Sequence, residues 1–257
     1  MKRVLLLGYA ALAYLSFVAI VGWAVTFVAD LDIVSGIDHG PAAARGTAVA
    51  IDLALLGVFA VHHSLMARPA AKRALTRFVP QAAERSTYVL TADLLLALVL
   101  WQWRPVGPIL WHVDTQPWRV LLWAGYLTGW VVAIASTFLI DHLDFVGLRQ
   151  ASAQTWARTH EPPRLTTRGL YTLVRHPIML GLLIAFWVTP TLSVGHLLFA
   201  TAGTAYVIVG IRFEEADLRR TLGARYVDYA RRTPALLPVR RRAATGASAP
   251  VSREEAS

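Results

Sequence analysis

The sequence 175-RHPIMLGLLIAFWV-188, followed by 196-HLLFATAGTAYVIVGI-211, decides the fold. These two apolar segments flank a turn region between Pro190 and Gly195, and together they are typical of a membrane hairpin. Polar side chains stand at both feet of the hairpin, namely Arg175, His176, Arg212, Glu214 and Glu215. Ionisable groups at a membrane boundary are costly, which indicates that they serve a function. A charged cofactor bound between the two feet would account for them.

The composition is that of a polytopic, all-α integral membrane bundle. Of the 257 residues, 56% are hydrophobic and 16% are charged, whereas soluble domains carry about 25% charged residues. The chain has no cysteine, which excludes disulfides, thiolate metal sites and cysteine nucleophiles. The net charge is +9, but the basic residues flank apolar runs, as expected beside a lipid bilayer. We therefore predict the bilayer, and no nucleic acid, as the partner of these charges.

Apolar segments recur along the chain ahead of the hairpin. Four of them, at 4–29, 47–66, 86–103 and 119–140, are long enough to be membrane spans. The first half of the hairpin covers only about 14 residues, or about 21 Å of helix, against a hydrocarbon core of about 30 Å. The sequence therefore predicts six apolar segments, or five full spans if the hairpin is partial.

The charge distribution predicts the orientation of these spans. Six spans place both termini and the loops 67–85 and 141–175 on one side of the membrane. That side holds all of the 25 Lys and Arg residues except Arg45, Arg104 and Arg119. An excess of positive charge marks the cytoplasmic side, so both termini are predicted to be cytoplasmic. The tail at 239–257 lacks apolar periodicity and is predicted to be disordered.

Polar residues from four spans fall at the same cytoplasmic level of the membrane. Beyond the feet of the hairpin, they are His62 and His63 near the end of the second span and Asp141, His142 and Asp144 after the fourth. This convergence predicts a site open to the cytoplasm. Taken singly, each residue has a structural alternative, such as an interfacial histidine, a snorkelling arginine or a solvated helix end.

Two further polar groups leave alternatives open. Asp93 lies inside the third span and needs a partner or a proton; either His62 or His63 could be that partner, or the residue could form a structural bond between helices. The histidines and Asp141 are metal-ligand types. Adjacent histidines on a helix point about 100° apart, however, so we predict no metal site.

Two C-terminal motifs resemble the signature of the isoprenylcysteine carboxyl methyltransferase-like superfamily. They are 169-GLYTLVRHPIMLG-181 and 214-EEADLRRTLGARYVDY-229. One departure is Met179, where the family often has tyrosine. Two N-terminal motifs, 60-AVHHSLMARP-69 and 137-TFLIDHLDFVGLRQ-150, resemble the bacterial methanethiol S-methyltransferases within that superfamily. Together the motifs reach across nearly the whole apolar part of the chain.

The resemblance implies S-adenosylmethionine as the cofactor and the bacterial cytoplasmic membrane as the location. In this interpretation Arg175 and His176 hold the cofactor carboxylate, Glu214 or Glu215 accepts from its ammonium or ribose groups, and Arg212 orients that pair. Tyr171 and Tyr226 would flank the adenosine. The full predicted cofactor set is Tyr171, Arg175, His176, Pro177, Leu180, Gly181, Arg212, Glu214, Glu215 and Tyr226. Residues 1–140 then supply the acceptor pocket and 141–238 the cofactor region.

The resemblance further implies in-line methylation of methanethiol, a small thiol, to dimethyl sulfide. The thiol must lose its proton, so a histidine base oriented by a carboxylate is expected. The predicted base is His142 or His62, with Asp141 or Asp144 orienting it and His63 as a further candidate. The pocket is expected as an apolar recess between the second, fourth and fifth spans. The alternatives are a methyltransferase acting on a lipid or an isoprenylcysteine carboxylate, and a non-catalytic membrane protein of the same fold.

Overall fold

The computed structural model describes residues 2–31, 33–156 and 165–238, and the helices predicted from apolar runs are present in it. The predicted tail at 239–257 lies outside the described residues. The helices are α1 (Lys2–Val28), α2 (Arg45–Met66), α3 (Pro69–Leu75), α4 (Glu84–Gln102), α5 (Trp118–Ile140), α6 (His142–Phe145), α7 (Leu148–Thr155), α8 (Pro177–Trp187), α9 (Val194–Leu222) and α10 (Ala224–Arg232). Short 3₁₀ turns lie at Gln81–Ala83 and Gly169–Thr172.

The long apolar helices confirm a polytopic helical membrane protein. Four helices of the described chain have the length and composition to cross a bilayer: Arg3–Val28, Arg45–Met66, Trp118–Ile140 and Val194–Leu222. Helix α4 packs against α1 and α2 and carries the buried Asp93. Helix α8 has only 11 residues, or about 16 Å of length, and cannot cross a core of about 30 Å. The hairpin is therefore partial.

Glycines hold the short helix α8 against α5 at backbone contact. A Cβ atom built on Gly129 would lie 2.6 Å from the Ala185 nitrogen, and one built on Gly181 would lie 2.5 Å from the Ala133 nitrogen. No side chain larger than hydrogen fits at either position. Such close approach of two helices is the usual source of van der Waals attraction between helices in a membrane. Helix α8 is thus held in place by its contact with α5, since it is too short to be anchored by spanning the bilayer.

A two-stranded ribbon closes the end of the bundle opposite Arg175. Strand β1 (Ile109–His112), between α4 and α5, pairs antiparallel with β2 (Thr191–Ser193), between α8 and α9. The predicted turn at 190–195 thus contains a strand. Backbone groups that leave a helix within a membrane protein need partners, and β1 supplies them for the reversal of the chain after α8.

Helix α9 is longer than predicted. The apolar run ends at Ile211, but the helix continues to Leu222 and ends before Gly223, whose φ is 55°. The polar foot of the hairpin is therefore helical. The helix continues because Glu and Arg are good helix formers and because Glu215 pairs with Arg219 one turn later. As a result, Glu214 and Glu215 are both helical, with Glu214 exposed and Glu215 buried.

Candidate functional site

The two feet of the hairpin are in direct contact. The Nε atom of Arg175 lies 2.9 Å from Glu215 Oε1, and its Nη2 atom contacts the same oxygen. Its Nη1 atom donates to the backbone carbonyls of Ala230 and Thr233. Both members of the Arg175–Glu215 pair are only 10% exposed. We call Arg175, His176, Glu214, Glu215 and Arg219 the ion-pair cluster.

Histidine and arginine complete this cluster. His176 is buried, with Nε2 3.2 Å from Glu215 Oε1 and Nδ1 3.4 Å from Glu214 Oε2. Arg219 donates to the second oxygen of Glu215 at 2.9 Å. The two feet therefore contact each other directly, and Glu215 and most donors of Arg175 already have partners; a cofactor between the feet stays a prediction. The side chain of Glu214, which is 49% exposed, remains accessible.

The other predicted cofactor residues differ in their burial and in their contacts. Tyr171 lies buried in the 3₁₀ turn, where its carbonyl accepts from the Tyr229 hydroxyl at 2.6 Å. Tyr226 is buried, and burial raises the pKa of both Tyr171 and Tyr226, so both phenols stay neutral. Pro177 starts α8, Leu180 is half-buried, and Gly181 is occupied by its contact with α5. Arg212 is exposed on α9.

An open cleft of about 430 Å³ lies at the C-terminal end of α5. Residues from α1, α5, α6 and the segment before the 3₁₀ turn line it: Tyr14, Phe138, Ile140, Asp141, His142, Leu143 and Arg168. Arg168 directly precedes Gly169, which approaches the side chain of Leu139 on α5. One short segment thus connects the cleft to Tyr171 and the ion-pair cluster.

His142 is the titratable group built into the cleft wall. Its side chain is stacked on Phe138 with ring centroids 4.1 Å apart and planes inclined by 10°. Tyr14 contacts it edge-on at 5.5 Å, and its Nδ1 atom lies 2.8 Å from Thr137 Oγ1. Burial lowers the pKa of His142, so the imidazole is neutral near pH 7. The sequence reasoning missed Thr137, Phe138, Tyr14 and Arg168, although the first two stand within the quoted motif.

Asp141 does not orient His142 as predicted. Its Oδ1 atom accepts from the backbone N–H of Asp144 at 3.2 Å, and its carboxylate pairs with Arg149. It therefore caps the first turn of α6. The hydroxyl of Thr137 lies beside the imidazole, with Oγ1 2.8 Å from His142 Nδ1. Asp144 is buried in the same turn.

His62 and His63 lie in a different part of the bundle. His63 Nε2 lies 2.9 Å from the Tyr88 hydroxyl. The His63 ring also packs edge-on against the Tyr206 ring of α9, with the ring centroids 6.3 Å apart. Buried Nδ1 of His62 has no hydrogen-bond partner among the described residues. His142, by contrast, packs against Tyr14 of α1 and Phe138 of α5, so these contacts do not join it to His62 or His63.

Of the two alternatives for Asp93, the structure favours the bond between helices, because the carboxyl interacts with the hydroxyl of Ser16 on α1. The expected recess between the second, fourth and fifth spans stays a prediction. The cleft that lies beside His142 is instead between α1 and the end of α5, and α8 packs closely on α5 at Gly129 and Gly181.

Known proteins resemble this chain over nearly its whole length. A methanethiol S-methyltransferase from Mycobacterium tuberculosis is 47% identical over 238 residues, which cover 93% of this chain and 98% of the relative. Methanethiol S-methyltransferase 2 from Bradyrhizobium diazoefficiens is 44% identical over 92% of this chain and 91% of its own. Nurim from Rattus norvegicus is 32% identical over 85% of this chain and 92% of its own. No family model and no solved structure matches the chain.

Proposed function

The chain belongs to the methanethiol S-methyltransferase family, and from this we propose that it methylates methanethiol with S-adenosylmethionine to give dimethyl sulfide. The observation that carries the proposal is the 47% identity to a methanethiol S-methyltransferase over 93% of the chain. The cleft at His142 supports it, because a small thiol needs a general base and has no head group to bind. The strong bias of basic residues to one end of the bundle supports a cytoplasmic orientation of both termini.

The charges near the cleft fit the methyl donor. S-adenosylmethionine carries a sulfonium, an ammonium and a carboxylate group, and when bound it supplies an electrophilic methyl group. Glu214 offers an accessible carboxylate for the ammonium or the ribose hydroxyls. Most donors of Arg175 are engaged by Glu215 and two carbonyls, so Arg168, an exposed cation lining the cleft, is left to bind the carboxylate.

The ion-pair cluster stabilises the part of the fold that carries these charges. Not every member of the cluster binds the donor. Arg175 fastens the start of α8 to α9 and to the segment after α10, because its side chain reaches both. Its backbone N–H also donates to the Pro234 carbonyl at 2.9 Å. The 3₁₀ turn that carries Tyr171 is held by Tyr229 of α10. Arg168 directly precedes this turn, and Glu214 lies 3.4 Å from His176 Nδ1 in the ion-pair cluster.

His142 is the proposed base of the reaction. A cysteine-like thiol has a pKa of about 8.5, so the acceptor is mainly protonated at neutral pH and must lose its proton to become a good nucleophile. A neutral imidazole in a partly dry cleft can take that proton. Tyr14, Phe138 and Leu143 present the apolar wall against which a methyl group can lie.

The proposal is tested by assaying the purified protein in lipid vesicles with S-adenosylmethionine and methanethiol. Headspace gas chromatography is expected to show dimethyl sulfide, and vesicles without the protein serve as the control. Binding of S-adenosylmethionine with no volatile product would contradict the proposed acceptor. A methyl-labelled donor distinguishes the alternatives, because label recovered in extracted lipid would indicate a lipid acceptor.

A further inference from the structure

We propose that Thr137 is a positioning residue that fixes the His142 proton on Nδ1 and leaves Nε2 as the base for methyl transfer. The inference rests on the proposed function, in which His142 accepts the thiol proton. Thr137 stands one turn before the end of α5 and does not line the cleft. Its effect on the reaction would therefore pass through the imidazole.

The direction of each hydrogen bond follows from the atoms that flank the Thr137 hydroxyl. Its Oγ1 atom lies 2.7 Å from the Ile134 carbonyl oxygen and 2.8 Å from His142 Nδ1. Both contacts are hydrogen bonds at the same time only if the single hydroxyl proton points to the Ile134 carbonyl, because that oxygen can only accept. Toward His142 the hydroxyl can then only accept. Nδ1 must carry a hydrogen, and in the neutral ring Nε2 is the nitrogen with the free lone pair.

Packing keeps the ring in this orientation. Thr137 is 6% exposed and His142 is 8% exposed, so water does not compete for the hydrogen bond. The stack on Phe138 and the edge contact of Tyr14 fix the plane of the ring from two helices. A ring flip would place a carbon against Thr137 Oγ1 and leave a buried acceptor without its donor, which is unfavourable.

The charged groups around His142 leave its neutral form favoured. Asp141 is paired with Arg149 and caps α6, and Arg168 lines the same cleft as a cation. Asp144 is buried in the same turn of α6, and Tyr14 faces the ring from α1. A hydroxyl acceptor at Nδ1 stabilises the imidazolium less than a carboxylate would. Burial also lowers the pKa of His142, which again favours the neutral imidazole.

The proton and electron balance of the step is complete with these groups. The thiol proton moves to Nε2, and the sulfur electron pair forms the new S–CH₃ bond while the sulfonium C–S bond of the donor breaks. The electron pair of the broken C–S bond stays on the donor sulfur, which becomes a neutral thioether, and the thiol proton remains on the imidazolium. The imidazolium then returns its proton to water through the open cleft.

The test compares Thr137→Val with Thr137→Ser and Thr128→Val. The first change keeps the side-chain shape and removes the acceptor, while the second keeps the hydroxyl. Thr128 bonds only a helix carbonyl, that of Ala124, on the same helix, so its valine variant is a matched control. For Thr137→Val we expect kcat to fall about tenfold or more with the KM for S-adenosylmethionine unchanged. The acid limb of its kcat profile should move to lower pH, because the imidazolium loses an acceptor. Thr137→Ser and Thr128→Val should resemble the wild type.

Wild-type kcat and pH profile in Thr137→Val would overturn the inference, and so would an effect on KM alone. His142→Gln separates this failure from that of the proposed function: if His142→Gln is fully active, the base itself is wrong. Should Thr137→Val not fold, ¹⁵N-histidine NMR of the wild-type protein decides. The Nε2 signal of His142, identified by its loss in His142→Gln, is expected at the position of an unprotonated nitrogen, and a protonated Nε2 in the neutral ring would contradict the inference.

Discussion

Single residues in this protein divide between those that hold the fold and those that face the cleft. Arg175 and Glu215 bind each other, and Arg175 also donates to backbone carbonyls. These two residues therefore act mainly by holding helices in place. Arg168 and His142 line the cleft and the Glu214 side chain is 49% exposed, so under the proposed function these residues can contact ligands. The pairing of oppositely charged side chains from distant segments accounts for this division.

The first expectation concerns pH. Because His142 must be neutral to accept a proton, kcat should fall as pH decreases through its pKa, and burial places that pKa below its ordinary value. The loss of activity is therefore expected on the acid side of about pH 6.5. Rates of dimethyl sulfide formation measured between about pH 5 and pH 8 check this. His142→Gln should keep no such acid limb, and an unchanged limb in that variant would assign it to another group.

The second expectation concerns the ion-pair cluster. Glu215→Gln leaves Arg175 without a charged partner in a buried position, which costs about 3 kcal/mol of stability. It should also weaken binding of S-adenosylmethionine, because the start of α8 is released. Thermal unfolding in detergent and equilibrium binding measure the two effects. Asp217→Asn on the same helix is the control, since its carboxylate is 47% exposed and its loss should change stability by less than about 1 kcal/mol. Equal effects of the two changes would contradict the structural role of Glu215.

The sequence allowed the identity of the site residues to be predicted better than their contacts. His142 could be selected because its motif and its position after α5 are local features. Its partner Thr137 and its stacking on Phe138 depend on the backward turn of the chain at α6, which periodicity does not reveal. The contact between Arg175 and Glu215 could not be foreseen, because 40 residues separate them and only the packing of α8 brings them together.

At the level of helices, apolar length predicted the elements and close packing decided their arrangement. Helix α8 is too short to span the bilayer and owes its place to the glycines that contact α5. The extension of α9 beyond the apolar run was missed, because the last polar turns are stabilised by helix propensity and by the Glu215–Arg219 pair. The polar foot is therefore part of the helix up to Leu222.

The packing of α5 on α8 is tested by Gly129→Ala. A Cβ atom there would lie 2.6 Å from the Ala185 nitrogen and 2.7 Å from the Gly181 oxygen, so the helices must separate and the thermal stability should fall. Gly57→Ala is a matched change, because a Cβ atom on Gly57 meets nothing within 4 Å. It should be neutral or stabilise α2 by up to about 1 kcal/mol. Equal melting temperatures for the two variants would argue against the close crossing.

In the molecule as a whole, the loops between the helices lie at two opposite ends of the bundle. The ribbon of β1 and β2 lies at one end, and the cleft, the ion-pair cluster and α3 lie at the other. Phe78, which is 87% exposed, follows α3 at the basic end. Asp114, whose side chain is 69% exposed, follows β1. A label attached at each of these two positions would therefore report on opposite sides of the membrane.

Cysteine labelling can test this orientation directly, because the chain has no cysteine of its own. In intact cells, Asp114→Cys is expected to react with a membrane-impermeant maleimide, and Phe78→Cys is expected to react only after permeabilisation. The result follows from the cytoplasmic placement of the basic loops. Labelling of Phe78→Cys alone in intact cells would reverse the proposed topology.

The most direct test of the central claim is the production of dimethyl sulfide by the wild-type protein and by His142→Gln under the same conditions. With S-adenosylmethionine and methanethiol supplied, the wild type should release dimethyl sulfide into the headspace. His142→Gln should bind S-adenosylmethionine equally well and produce at least about a hundredfold less. Full production by His142→Gln, or none by a wild-type protein that binds S-adenosylmethionine, would contradict the account.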